Sequence, residues 1–285
     1  MVLLVRFGEL ALKSPYVRRQ LRDRLVENIQ EMFASERIEC LIRADRARIY
    51  IDIDNVTAAI HALRRVFGIV SFSDAVEATS DPEQIATCAV ELARRTVPMG
   101  GRFAVRARRA GTHTYTSQDL ARLVGQRIRD ALPECSVDLD KPDAEIHVEV
   151  RENRSFLFTE IVDGPGGLPM GSQGRALAVV DSDAGAVAAW LAMKRGCKVS
   201  VASPDGSIAH EPLRRWDVRL KVLPWEPGVN LQELVRLSRS EAVILGTRPT
   251  DISPEKPALD VPVFHAVIGI DDAQLRALAE RIRSA

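Results

Sequence analysis

The segment RALAVVDSDAGAVAAWLAMKR, from Arg175 to Arg195, constrains the fold more than any other. Its apolar first part predicts a buried strand, its polar middle a turn, and its alanine-rich remainder a helix. In open α/β sheets a nucleotide phosphate usually binds at such a junction, on the N–H groups that begin the helix. Here the turn contains Asp181, Ser182 and Asp183, and its single glycine, Gly185, comes late. Because carboxylates repel phosphate, the segment predicts a nucleotide-site scaffold without nucleotide chemistry.

The residues that follow this segment predict a parallel sheet, and those before it predict a linker. Strand patterns near residues 176–180, 198–202, 218–223 and 242–245 alternate with helical patterns, which is typical of a doubly wound α/β domain. The glycine- and proline-rich run DGPGGLPMG, residues 163–171, predicts a linker before that domain.

The N-terminal part has a different order of predicted strands and helices. A strand at 2–7 precedes a helix that begins at Ser14-Pro15, an N-cap followed by proline at the first helical position. Strands near 38–42 and 48–53, a second helix and a strand at 69–76 complete a β-α-β-β-α-β order, which predicts a ferredoxin-like unit. Asp81-Pro82 opens another helix, a half-buried strand follows at 103–108, and Ser117 begins a helix to about Ala131.

Composition sets further bounds. With 285 residues, 46% of them hydrophobic, the chain is long enough for two or three domains with proper cores. Lys+Arg and Asp+Glu both total 39, so only local charge can indicate a partner. The four cysteines are widely spaced, and the histidines show no metal-binding pattern, so we predict no metal site, no disulfide framework and a reduced cytoplasmic setting. Neither a signal peptide nor a membrane span is expected.

Two basic clusters stand out against the zero net charge. The first lies just before and along the N-terminal helix and contains Lys13, Arg18, Arg19, Arg22 and Arg24. In the second, Arg102, Arg106 and Arg108 share one face of a strand and are followed by Arg109, His113, Tyr115 and Arg122. An arginine row beside aromatic side chains suits phosphate contacts with some base stacking. A solvated basic face is the alternative explanation.

The second cluster lies within a longer pattern. Residues 101–125, GRFAVRARRAGTHTYTSQDLARLVG, resemble a THUMP domain, in which a strand ending in paired basic residues precedes a loop and a helix closed by Val-Gly. VRFGELALK at 5–13 resembles the ferredoxin-like unit that precedes THUMP in tRNA 4-thiouridine synthases. GPGGLPMG at 164–171 and AAWLAMKRGC at 188–197 resemble the linker and first helix of the PP-loop domain in those enzymes.

The resemblance implies tRNA recognition by the first two domains and adenylation of a uridine by the third. It also implies an ATP loop of the form Ser-Gly-Gly-x-Asp-Ser. Alignment on residues 187–190 places Val180, Asp181, Ser182, Asp183, Ala184 and Gly185 on that loop, and no fixed position keeps its residue. We therefore expect a degenerate nucleotide loop at Asp181–Gly185, no catalytic residues and no cofactor.

The predicted domains are a ferredoxin-like unit at 1–76, THUMP at 77–163, a linker at 164–174 and a degenerate PP-loop (adenine nucleotide alpha hydrolase-like) domain at 175–285. The predicted RNA contacts are Lys13, Arg18, Arg19, Arg22, Arg102, Arg106, Arg108, Arg109, His113 and Arg122. The expected partner is tRNA, with a separate catalytic or sulfur-carrier protein and a homodimer as further possibilities.

Two alternatives stay open. One is an active ATP- and Mg²⁺-dependent tRNA uridine 4-sulfurtransferase with an atypical nucleotide loop. The other is a homo-oligomeric scaffold whose basic faces do not bind RNA. Cys197 has basic neighbours but enters a predicted buried strand, so we interpret it as structural.

Overall fold

The structure, a computed structural model, describes residues 2–8, 14–226, 229–249 and 259–285. Contacts divide it into two compact units. The first unit comprises Met1–Val5, Cys40–Val56 and Ser71–Val162, and the second comprises Arg6–Glu39, Thr57–Val70 and Asp163–Ala285. No helix in the described ranges is long and apolar enough to cross a membrane.

The first unit is built on a mixed sheet in the order β2-β3-β1-β4-β8-β7-β5-β6, with β9 pairing β4. Its strands are β1 (Val2–Phe7), β2 (Leu41–Ala44), β3 (Ile49–Asp52), β4 (Ile69–Thr79), β5 (Arg102–Ala110), β6 (Ser136–Val137), β7 (Ala144–Arg151), β8 (Arg154–Phe158) and β9 (Val162–Asp163). Helices α3 (Pro82–Thr96) and α4 (Ser117–Ala131) pack on the β5–β7–β8 region over a core that includes Phe103, Ile128 and Leu157.

Local sequence signals place these elements well. Asp81 caps α3, with its Oδ2 accepting the N–H of Gln84 at 2.9 Å, and Pro82 starts the helix. Thr116 caps α4 through a reciprocal capping box with Asp119, so the helix begins at Ser117 as predicted. The second predicted strand begins at Leu41 rather than Ile38, because α1 and its closing turn continue through Glu36 and Arg37.

The second unit contains a fully parallel five-stranded sheet in the order β12-β11-β10-β13-β14. The strands are β10 (Arg175–Val179), β11 (Lys198–Ser203), β12 (Lys221–Pro224), β13 (Ala242–Leu245) and β14 (Val263–His265). The helices of this unit are α1 (Pro15–Ser35), α2 (Val56–Leu63), α5 (Asp183–Lys194), a 3₁₀ helix (Glu211–Arg215), α6 (Leu231–Ser238) and α7 (Asp272–Ser284). This confirms the predicted α/β class and the order of strands and helices.

An aromatic cluster holds the second unit together. The Phe67 ring stacks on Trp216 with centroids 5.1 Å apart, and Trp190 meets both rings edge-on. All three side chains are at most 3% exposed. The predicted strand at 218–223 starts late, at Lys221, because residues 211–215 form the 3₁₀ helix and Asp217 accepts the N–H of Arg219 in a turn.

Candidate nucleic-acid interface

The arginine row lies on β5, which pairs in parallel with β7 along its whole length. Phe103 faces the core beneath α3 and α4. Arg102, Arg106 and Arg108 lie on the opposite face, since residues two apart along a strand share a face. Phe103, Val105 and Ala107 all pack in this core, as the period-two pattern predicted.

Two members of that row are compensated within the protein. Arg102 Nη2 lies 2.9 Å from Asp143 Oδ1, and its Nη1 lies 3.2 Å from Asp138 Oδ2. Arg106 Nη2 lies 2.8 Å from Glu145 Oε1 and also donates to the Leu139 carbonyl at 2.7 Å. Hydrogen bonding by Arg102 lowers the pKa of Asp143 to about 2. Sequence reasoning missed these pairs because their acids lie some 40 residues further along the chain.

The two arginines at the end of β5 lack such partners within the described ranges. Arg108 and Arg109 are both exposed, and neither is paired with a carboxylate among the described residues. Arg109 Nη1 donates to the backbone carbonyl of Gly111 at 3.1 Å, which orients its guanidinium without neutralising it. Of the predicted β5 contacts, these two keep their charge available for phosphate.

The loop after β5 is fastened by its aromatic residues. His113 Nε2 donates to the Glu152 carbonyl at 2.7 Å, and the Tyr115 hydroxyl donates to the Ser80 carbonyl at 2.6 Å. The two rings lie 5.3 Å apart at a tilt of 40°. His113 therefore positions the loop that follows Arg109.

The remaining predicted contacts lie on two helices. On α1, Arg18 and Arg19 have no side-chain partner among the described residues, whereas Arg22 Nη2 lies 2.6 Å from Asp23 Oδ1. On α4, Arg122 lies 3.6 Å from Asp119, with both side chains exposed. The exposed Arg122 pair contributes little energy, so Arg122 stays available to an anion. The predicted contact Lys13 lies outside the described residues.

The predicted nucleotide loop lies at the carboxyl end of β10, between its neighbours β11 and β13. Ser182 caps α5, with its Oγ accepting the N–H of Gly185 at 3.4 Å and donating to Asp181 Oδ1 at 2.9 Å. Asp183 is the first helical residue, and its Oδ1 lies 2.9 Å from Arg283 Nη1. The positive end of the helix dipole thus faces the protein's own acidic side chains.

Glycines allow close packing around this turn. A Cβ on Gly246 would lie 2.3 Å from the amide nitrogen of Gly185 and 2.4 Å from the carbonyl carbon of Ala184. A Cβ on Gly185 would lie 2.6 Å from the carbonyl oxygen of Val179. Gly185 thus allows α5 to pack against β10. Gly246 allows the backbone after β13 to pack against the first turn of α5.

Comparison with known proteins agrees with this architecture. A sequence profile of the THUMP domain matches residues 79–160, and one of the ThiI ferredoxin-like domain matches residues 2–73. A probable tRNA sulfurtransferase from Methanosarcina acetivorans is 31% identical over 99% of this chain and 81% of its own length. One from Methanobrevibacter smithii is 39% identical over 72% of this chain, a match that spans 54% of that relative.

Solved structures show the same fold. The crystal structure of PH1313 from Pyrococcus horikoshii superimposes with a TM-score of 0.86 at 29% identity, covering 99% of both chains. A 4-thiouridine synthetase crystallised with RNA and bound ATP superimposes with a TM-score of 0.81 at 22% identity, covering 99% of this chain and 84% of that one.

The fold and the profile matches define a THUMP-domain protein with a ferredoxin-like N-terminal unit and a parallel-sheet third domain. The chain belongs to the tRNA sulfurtransferase family.

Proposed function

We propose that this protein binds tRNA and acts in tRNA modification as a recognition subunit or platform, with a third domain that does not use ATP. The observation that carries the proposal is a contrast between two sites. Arg108 and Arg109 offer uncompensated positive charge in the THUMP domain, whereas at the turn where a nucleotide phosphate would bind Asp181 supplies an exposed negative charge and Asp183 is paired with Arg283.

The RNA side of the proposal follows from electrostatics. Exposed guanidinium groups form charge-assisted hydrogen bonds with phosphate oxygens and displace counterions from the nucleic acid. Arg108 and Arg109 supply the central contacts, and Arg18, Arg19, Arg22 and Arg122 add further positive charge. Arg102 and Arg106 contribute less, because Asp143 and Glu145 already occupy their guanidinium groups. Segments 1–76 and 77–163 share this task.

The nucleotide side rests on the turn that begins α5. Phosphate-binding turns offer free N–H groups, and here the Ser182 hydroxyl occupies the N–H of Gly185. The exposed Asp181 carboxylate opposes a phosphate charge by about 1 kcal/mol at 4 Å, and Asp183, paired with Arg283, opposes it less. Residues 175–285 then serve as a structural or partner-binding platform, and a separate catalytic or sulfur-carrier protein completes the reaction. A homodimer would present two basic surfaces to one tRNA.

The alternative is an active ATP-dependent tRNA uridine 4-sulfurtransferase. It is favoured by the position of the turn, since Asp181–Gly185 lies between β11 and β13 at the point where strand order reverses. Ligands of open α/β sheets bind at that point.

Two binding measurements on the full chain separate the possibilities. We expect a labelled tRNA transcript to bind with an affinity that falls steeply as salt rises, and ATP with Mg²⁺ to give no binding heat in calorimetry. Tight magnesium-dependent ATP binding would overturn the platform assignment. Failure to bind tRNA at low salt would overturn RNA recognition and leave a scaffold.

A matched pair of variants tests the assigned contacts. Replacing both Arg108 and Arg109 by alanine should weaken tRNA binding and reduce the salt slope by about 2. The control replaces Arg94 and Arg95, two exposed arginines in the last turn of α3. Equal losses in the two variants would mean that tRNA responds only to net charge.

A further inference from the structure

The turn between β2 and β3 is braced by one carboxylate. Asp45 Oδ1 accepts the N–H groups of Ala47 and Arg48, each at 2.7 Å, and Oδ2 accepts the Tyr50 hydroxyl at 2.7 Å. Burial alone would raise the pKa of Asp45, but these hydrogen bonds lower it overall. The ionised carboxylate thus fixes a tight turn, which presents Arg46 at its tip, exposed and without a side-chain partner in the described part of the chain.

The hairpin formed by β2 and β3 packs across the THUMP strands. The Tyr50 ring stacks on Phe156 of β8 with centroids 4.9 Å apart. Arg48 Nε lies 2.8 Å from Glu149 Oε1, and Arg151 Nε lies 3.4 Å from the same oxygen. Glu149 is 8% exposed. One buried carboxylate of β7 therefore fastens the hairpin to the THUMP sheet.

This buried pair places the hairpin tip beside the proposed RNA contacts. Glu149 is the β7 register partner of Arg108 on β5. Arg151, two residues further along β7, is close enough to Asp45 to act on its charge. Arg46 and Arg108 thus lie at the same end of the first unit.

Positive charge is in excess at this end. The acidic groups near the hairpin include Asp45, committed to the turn, Glu149, shared by Arg48 and Arg151, and Glu152, whose carboxylate lies beside Gly111. Glu77 and Asp52 are paired with Arg154 and Arg43. Arg46, Arg108 and Arg109 remain without a carboxylate partner among the described residues. Exposed guanidinium groups without a carboxylate partner suit a polyphosphate backbone.

We propose that Arg46, at the tip of the β2–β3 hairpin, contacts the tRNA phosphate backbone, and that Glu149 is a positioning residue that holds this hairpin beside Arg108. The proposal rests on the proposed tRNA binding and deepens it. It adds an RNA contact on the β2–β3 hairpin to those proposed for the arginines of α1. The sequence did not indicate this contact.

The test measures binding of the full chain to a labelled tRNA transcript over a range of salt concentrations. Arg46→Ala should weaken binding about five- to tenfold at fixed salt and lower the salt slope by about 1. The matched control is Arg64→Ala, which removes an exposed arginine after α2 that has no side-chain partner among the described residues. It should leave binding unchanged within about twofold.

Glu149→Gln tests the positioning role. Glu149→Gln should release the hairpin from β7. In that background Arg46→Ala should weaken tRNA binding by less than about twofold, because the effects of coupled residues are not additive. Arg48→Gln breaks the same ion pair from the hairpin side and is the substitute should Glu149→Gln fail to fold. Simple additivity in both backgrounds would overturn the positioning role.

The outcomes separate the two proposals. If Arg46→Ala behaves like Arg64→Ala while the Arg108 and Arg109 double variant still weakens binding, the hairpin contact is wrong and tRNA recognition stands. If the unaltered protein shows no salt-dependent tRNA binding, both proposals fail.

Discussion

Asp183, the first residue of α5, lies with its Oδ1 2.9 Å from Nη1 of Arg283 in the last turn of α7. Hydrogen bonding by Asp183 raises the pKa of Arg283. The carboxylate therefore interacts with both the helix dipole and a guanidinium group. Asp183 thereby stabilises the start of α5.

This relationship predicts a stability effect. Asp183→Ala should lower the free energy of unfolding by roughly 0.5–1 kcal/mol, because it removes the dipole interaction and the exposed ion pair together. Arg283→Ala removes this pair and the 3.7 Å contact with Glu280 but leaves the dipole interaction, and it should cost less. Urea unfolding measures both, with Arg276→Ala on the exposed face of α7 as the control. An increase in stability on Asp183→Ala would contradict the assigned role.

The aromatic cluster predicts a larger effect. Trp216 is 3% exposed, stacks on Phe67 and donates its Nε1–H to the Ile282 carbonyl at 3.2 Å. Trp216→Ala should destabilise the protein by about 3–5 kcal/mol through the cavity it leaves. Trp225→Ala, at a half-buried tryptophan, is the control and should cost less in chemical denaturation. Similar losses for both would show that the cluster is not the centre of this core.

The Arg102–Asp143 pair predicts an acid dependence. The pKa of Asp143 is about 2 in the folded protein, below its ordinary value of 3.8. The stability that this pair contributes is therefore present above about pH 4 and is lost as pH falls toward 2. Between pH 2 and 5 the free energy of unfolding should change less steeply with pH in Arg102→Gln than in the unaltered protein. Asp140→Asn is the control, and an unchanged slope in Arg102→Gln would refute the pairing.

The chemistry of Cys197 is predicted by its surroundings. Burial, and secondarily Glu241, raises the pKa of this thiol. Iodoacetamide should therefore modify it more slowly at pH 7 than it modifies a cysteine in a short peptide, with the rate increasing as pH rises. Peptide mapping by mass spectrometry, with Cys197→Ser as the reference, reads out the site. Rapid labelling at pH 7 would show a reactive thiolate and would contradict the structural role of Cys197.

Much of the architecture was predictable because its signals are local. Ser14 and Asp81 each accept an N–H from the first turn of the helix they precede, and proline follows both. Apolar periodicity predicted the strands and helices around Arg175–Arg195, and the order of elements predicted the parallel sheet. Errors occurred where a local turn delays the start of a strand, as at Leu41 and Lys221.

The candidate site was predictable only in part. The alternation along β5 showed that Arg102, Arg106 and Arg108 share a face, but not which of them are free. Asp143 and Glu145 reach Arg102 and Arg106 from β7, and Glu149 reaches Arg48 from 101 positions away along the chain. No local pattern contains that information.

The sequence by itself determined the fold class, the family resemblance, the helix starts and the presence of two carboxylates, Asp181 and Asp183, where α5 begins. These depend on residue type and on neighbours within a few positions. The tertiary structure decided which positive charges are compensated, and that Glu149 of β7 pairs with Arg48 of the β2–β3 hairpin. The physical reason is that charge is neutralised by proximity in space, and proximity here is set by β5–β7 pairing and by the packing of Tyr50 on Phe156.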